Sequence, residues 1–405
     1  MPQTSSQRIA APVVATHGDE LARLLADVFH ENPAPETVAR IRRSADIPGW
    51  LRPQDSRIGL LDGRIVTSVS VFRYLTRIGG ARLVTAGIGA VATHREHRKR
   101  GLMRETFNDM VAGLRPAGYD ISLLFGIPDF YWQFGYVRAW NEDTITVRAE
   151  NLRPGRPAPA TESCAGPEFS GELVACMNRW LDGRDGSAVR PTRGGVNKLQ
   201  GENIQALAWR DNAERLEGAV FLKIEESRVV VADACGEAET VVAVVAGVCA
   251  EQGRAEAVFP HLSYRSPLSR RLRLGDCQMA RNCRRNGGAL ARVVNLHSCL
   301  EKLAPDLAGR LAASRRHDWR GRLAIGDGRE EVGLDIAPGM VRIVAAGATP
   351  HRLAAGDHAA SLIFGAEDPL DTLARPGVVA GGDAAALAAI LFPELAPQLP
   401  ELDRY

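Results

Sequence analysis

The sequence predicts α/β and α+β domains, with helix-layered mixed sheets first and an α+β unit last. Three observations carry this. At 405 residues the chain exceeds the roughly 250–300 residues at which single hydrophobic cores stop growing. The first third alternates helical and strand periodicities in an order that builds a layered mixed sheet. The middle repeats that order more weakly, and the end follows a different one.

A helix is expected from Asp19, which can cap it, because Leu21, Leu24, Leu25 and Val28 recur at helical spacing. RIGLL and RIVTSVSVF follow as two β-prone runs, joined by Asp62-Gly63, a pair that tolerates the positive φ angles of a tight hairpin turn. LVTAGIGAVAT reads as a central strand. After a basic turn, Met103, Phe107, Met110 and Leu114 place an apolar stripe along a helix, and ISLLFGI supplies the next strand.

The proline- and glycine-rich stretch NLRPGRPAPATESCAGPE then marks a boundary, so the first domain is expected over residues 1–150. A second domain, 151–297, has a helix over Gly171 to Leu181, the hairpin-like GAVFLKIEESRVVVADA and an apolar helix from Glu239 to Ala250. It lacks the basic glycine turn after its strands, so as a duplicate of the first it would have lost any cofactor. The third domain, 298–405, opens with the helix LEKLAPDLAGRLAAS. It continues through RLAIG, EVGLDIA and MVRIVAAG as short strands and closes with ASLIFG and the helix DAAALAAIL.

Composition narrows the function classes. Charged residues make up 24% and apolar residues 45%, as in folded domains, and no run approaches the roughly 18 apolar residues of a membrane span. The first twenty residues lack the basic start and apolar stretch of a signal peptide, so a cytoplasmic protein without membrane contact is expected. Seven scattered cysteines without a CxxC pair read as buried free thiols and give no metal site. A net charge of +2 does not imply nucleic acid. The arginine-rich stretch Arg265, Arg270, Arg271, Arg273, Arg281, Arg284, Arg285 reads as a solvated, salt-bridged face, with an anion-binding patch as the alternative.

The most informative stretch runs from Thr93 to Met103, THREHRKRGLM, between a strand and a helix. A helix N-terminus carries unpaired backbone N–H groups and about half a positive charge, and a glycine lets a pyrophosphate approach the backbone. Arg98, Lys99 and Arg100 add charge. The turn has neither the GK[ST] of a Walker loop nor a GxGxxG pattern.

Arg98-x-x-Gly101 resembles the R-x-x-G signature of the GNAT superfamily of acetyltransferases. Phe130-Tyr131-Trp132-Gln133-Phe134-Gly135-Tyr136 matches the Y-x-x-F-G-[YF] element that follows the fifth strand in those enzymes. Together they resemble the bacterial Eis (enhanced intracellular survival) family, whose members have two GNAT-like regions followed by a sterol-carrier-protein-like domain. The specific part of the resemblance spans Val84 to Tyr136, with one departure at Arg95, where the related pattern commonly has proline.

The resemblance implies an acetyl-CoA-dependent N-acetyltransferase acting on an amine such as an aminoglycoside or a lysine side chain, assembled as a homo-oligomer, with a hexamer as the form the family suggests. Coenzyme would be held by Ala90, Val91 and Ala92 at the strand end, by Arg98, Lys99, Arg100, Gly101, Leu102 and Met103 in the turn, and by Gly126 and Ile127 on the neighbouring strand. Tyr131 would be the general acid and the terminal carboxylate of Tyr405 the general base. FPELAPQLPELDRY, with three prolines, favours an extended tail. Asp129 and His97 are the fallback bases. Two other classes stay open: a non-enzymatic lipid- or coenzyme-binding scaffold, which coenzyme A binding separates from an enzyme, and a nucleic-acid binder, which would show steep salt dependence.

Overall fold

The computed structural model describes residues 7–45, 50–164, 171–190, 204–284 and 286–404, so Arg285 and Tyr405 lie outside the described residues. The chain forms two compact units: one holds the residues up to Tyr74 together with Val84–Phe125, the other Leu75–Leu83 and Gly126–Arg404.

In the first unit the strands are β1 (Arg8–Ala10), β2 (Arg57–Leu61), β3 (Arg64–Ile78), β4 (Ala81–Thr93) and β5 (Ile121–Gly126), neighbours in that order. The helices are α1 (Val14–Phe29), α2 (Pro35–Ala45) and α3 (Leu102–Leu114). Asp62 and Gly63 turn β2 into β3 with φ of 51° and 80°, as expected of that pair. β4 and β5 are parallel, Thr85 opposite Ile121 through Ile88 opposite Leu124, and α3 makes the crossover between them.

The predicted first helix starts earlier than expected. Val13, not Asp19, is its N-cap. Asp19 lies within the helix, where its carboxylate accepts a hydrogen bond from Arg42 at 3.0 Å, and that distant partner has no signature in the local sequence. The apolar stripe is as predicted: Leu24 is buried against Ile58, Ile65 and Ala92, with Leu21, Leu25 and Val28 packed beside it. Along α3, Met103, Phe107, Met110 and Leu114 are all buried.

The second unit contains β6 (Val137–Arg138), β7 (Glu142–Arg148), β8 (Glu162–Ser163), α4 (Gly171–Leu181) and β9 (Ala188–Val189). Then come β10 (Gln205–Arg210), β11 (Leu216–Ile224), β12 (Arg228–Cys235), α5 (Ala238–Glu251), β13 (Glu256–Pro260), α6 (Pro267–Leu272), β14 (Gln278–Asn282) and β15 (Gly288–Val293). Seven strands form one sheet in the order β14-β7-β13-β12-β11-β10-β8. Alternating side chains serve its two faces. Val220, Leu222, Val229 and Val231 pack with the valines of α5, while Ala219, Phe221 and Ala232 pack with Leu173, Val174 and Met177 of α4.

The rest of the unit begins with α7 (Leu296–Ala312) and continues through β16 (Gly321–Gly326), β17 (Glu331–Ala337), β18 (Met340–Ala345) and β19 (Arg352–Ala354). α8 (Ala359–Phe364), α9 (Pro369–Leu373), β20 (Val379–Ala380) and α10 (Ala384–Leu391) complete it. Its sheet runs β18-β17-β16-β19-β20. ASLIFG, whose element type the periodicity leaves open, is the buried helix α8. All seven cysteines are free, four of them buried. No described helix is long and apolar enough to cross a membrane.

Candidate active site

In the first unit the site starts from an irregularity in β4. Ala90 has φ of 48°, a conformation that a side-chain-bearing residue adopts only when its surroundings impose it. The hydroxyl of Ser68 on β3 donates to the Ala90 carbonyl at 2.8 Å and helps hold the kink. Ala92 is buried while Ala90 and Val91 are partly exposed at the strand end.

Beyond Thr93 the chain makes one tight turn over Arg95–His97 and then passes through two left-handed residues, Lys99 (φ 61°) and Gly101 (φ 81°). Gly101 is the N-cap of α3 and no side chain caps this helix end. A Cβ at Gly101 would meet nothing within 4 Å, so glycine is needed there for its φ and for an unobstructed approach to the backbone. Arg98, Lys99 and Arg100 are exposed around it. A buried polar cluster pins the first turn of α3 from below. Gln7 Nε2 donates to Leu102 O at 2.6 Å, and the hydroxyls of Thr67 and Thr106 lie 2.7 Å apart.

The resulting feature is a helix N-terminus of 13 residues, uncapped, ringed by cations and preceded by a kinked strand. Partial positive charge and unpaired N–H groups of this kind suit a multiply charged phosphate.

The second unit holds the aromatic motif. Tyr131–Phe134 form a single helical turn closed by Gly135, whose φ is 76°. Phe130 meets the Tyr131 ring edge-on at 4.9 Å and Phe134 at 5.6 Å. Tyr131 is 7% exposed, and burial pushes its phenol pKa up to about 12. Gly126 is buried at the end of β5, whereas Ile127 is 65% exposed.

The fallback bases are both engaged. Asp129 accepts a hydrogen bond from Asn286 at 2.6 Å, and His97 Nδ1 accepts one from Arg100 at 2.9 Å. Among the described residues, His94, Glu96 and His97 form the one group whose donor atoms come within 4.8 Å of each other, as metal ligands must. The Arg100 guanidinium on His97 sets a cation against that group. In the arginine-rich stretch, Arg271 pairs with Glu239, Arg281 with Asp143 and Arg265 with Glu394.

Residues 12–139 match the acetyltransferase (GNAT) domain family. That stretch is GNAT-like. The chain is also similar to N-acetyltransferase Eis of Mycobacterium bovis (strain BCG / Pasteur 1173P2), with 27% identity over 178 residues, 42% of this chain and 44% of that protein. Less than half of the relative's length is therefore matched. Among solved structures, a GCN5-related N-acetyltransferase from Anabaena variabilis has the same fold, with a TM-score of 0.76 and 14% identity over 98% of this chain and all of that one. Eis1 from Mycobacterium abscessus gives 0.69 and 15% over the same shares. The kinked β4, the glycine turn and α3 all fall inside the GNAT match.

Proposed function

We propose that the protein is an acetyl-CoA-dependent N-acetyltransferase that acetylates a primary amine on a cationic substrate. The uncapped, arginine-flanked N-terminus of α3 behind Gly101 carries this reading. There the backbone N–H groups and Arg98, Lys99 and Arg100 would take the pyrophosphate, with Leu102 and Met103 closing the turn. Ala90, Val91, Ala92, Gly126 and Ile127 would line the pantetheine and acetyl group.

The chemistry follows from the groups available. An alkylamine is mostly protonated near neutral pH, so a base must take a proton before nitrogen attacks the thioester carbon. We assign that base to the C-terminal carboxylate of Tyr405, with Asp129 and His97 as fallbacks. Attack forms the C–N bond and moves the carbonyl electrons onto oxygen, where the Val91 N–H at the kink in β4 would stabilise the oxyanion. Collapse restores the carbonyl and breaks the C–S bond. The departing thiolate takes a proton from Tyr131, whose raised pKa keeps it protonated throughout the working range, and the surplus proton on the new amide nitrogen passes through solvent to restore the phenol.

The remaining organisation is proposed on the same resemblance. A GNAT domain over 1–150 is followed by a degenerate GNAT-like domain over 151–297 and a sterol-carrier-protein-like domain over 298–405, in a cytoplasmic homo-oligomer for which the resemblance suggests a hexamer. The test is a panel of aminoglycosides and lysine-like amines incubated with acetyl-CoA while free thiol is followed. Thiol release that requires both an amine and the native Gly101 is expected. Turnover of the panel by a folded Gly101→Glu protein at the native rate would reject the reading, because a carboxylate would then sit where the pyrophosphate must.

A further inference from the structure

β12 and β13 are parallel and paired only from Arg228 opposite Glu256 to Val230 opposite Val258. Beyond that point they bound a cavity of about 210 Å³ whose lining includes Val231, Asp233, Phe259 and His261, and whose remaining wall includes Gln398 and Pro400. The chain's own final segment thus occupies the mouth of the second parallel strand pair.

The segment from Phe392 to Arg404 is bound along its length. Leu399 and Leu402 are buried, and Leu402 joins the core between α4 and the sheet. Leu395 N–H donates to Gly365 O at 2.9 Å and Gln398 N–H to Asp185 O at 2.9 Å. Ser263 N–H donates to the Gln398 side chain at 2.7 Å, and the Ser263 hydroxyl to Ala396 O at 2.7 Å. Two left-handed glycines make room for it. A Cβ at Gly186 (φ 81°) would lie 2.7 Å from Pro397 Cβ and 2.9 Å from Gln398 N, and one at Gly365 (φ 56°) 2.6 Å from Leu395 N.

Charge fixes the last turn. Arg190, 3% exposed, donates to Asp403 at 2.6 Å and to Asp233 of β12 at 2.5 Å, and both carboxylates are buried with it. These two partners keep the guanidinium charged against the cost of burial. Next to it, Arg404 pairs with Glu142 of β7 at 2.8 Å, and His261 bridges Glu142 and Glu401 at 3.2 and 3.1 Å. An apolar anchor would hold the segment without burying the three charges of Arg190, Asp233 and Asp403. A planar guanidinium held between two fixed carboxylates adds direction, since it accepts only one orientation of the tail.

We infer that the second strand pair is a receptor for the chain's own tail and that Arg190 is the positioning residue that sets the direction in which the chain leaves Asp403 and Arg404. The catalytic consequence rests on the reading of the terminal carboxylate as base. Asp403→Ala in the full chain removes the tail's half of the clamp and leaves Arg190 paired with Asp233. Gly186→Val pushes on the tail from a different side.

Both proteins are digested with carboxypeptidase Y and the release of residues 404 and 405 is timed by mass spectrometry. Thermal melting confirms folding, calorimetry gives coenzyme A affinity and steady-state assays give kcat. Release at least about tenfold faster is expected in both, since hydrogen bonds between charged partners are worth that or more. Coenzyme A affinity should stay within about twofold, and kcat should fall at least about tenfold with the loss of a placed base. Release as slow as native in both variants overturns the receptor. Faster release with native kcat upholds it and removes the base assignment alone.

Discussion

Two crossover helices link parallel strand pairs in this protein, α3 between β4 and β5 and α5 between β12 and β13, and their N-termini are finished in opposite ways. At α3 the capping position is Gly101, no side chain accepts from the first turn, and three cations precede it. At α5 the cap is Glu237, whose carboxylate accepts from Thr240 N–H and is itself paired with Arg156. Glu239 adds a second negative charge, taken up by Arg271 and by the Gly155 backbone. Only the second satisfies the positive end of its helix from within the chain. One leaves it open to an external anion, and the other fills it with an anion from the chain. On the proposed function, the capacity for a pyrophosphate would reside in a few turn residues and not in the strand-helix-strand frame they share.

The largest effect expected lies outside both turns, at the proposed acid. Tyr131→Phe should lower kcat by roughly a hundredfold to ten-thousandfold while coenzyme A affinity stays native, because one hydroxyl is lost with little volume. With a phenol pKa near 12, native kcat should rise with pH as the amine deprotonates and should show no loss of the acid below about pH 10. Native turnover in Tyr131→Phe on an accepted amine would remove the assignment.

A smaller effect sharpens the contrast from the other side. Glu237→Ala uncovers the α5 terminus and should cost about 1 kcal/mol of stability by denaturant unfolding, the usual worth of a cap. It should not create a second coenzyme site, because the Glu239 carboxylate still occupies that end, held by Arg271 and the Gly155 backbone. A second binding event in this variant would show that the cap alone suppresses one.

Much of this was legible in the sequence where local chemistry decides the outcome. The Met103, Phe107, Met110, Leu114 stripe, the Asp62-Gly63 hairpin and the basic glycine turn each carry their own instructions. What escaped reading depends on distant partners. Asp19 looks like a cap until Arg42 claims it. Residues 142–148 fall inside the expected first domain, 1–150, but pair with β13 and β14, whose sequences lie more than a hundred residues away. The left-handed conformation of Ala90 has no local signal either, since alanine resists it and only the fold imposes it. The tail gave a direction through its prolines, whereas its seat, built from Gly186, Gly365, Arg190 and Asp233, is assembled from residues with no motif of their own.

On the proposed function, only the α3 terminus of the two binds coenzyme A. Calorimetric titration of the native protein with coenzyme A, repeated on Gly101→Glu, measures this directly. One molecule per chain is predicted, lost in the mutant and weakened by salt as exposed arginine–phosphate contacts are. Two molecules per chain, or one that Gly101→Glu leaves unchanged in a folded protein, would contradict it.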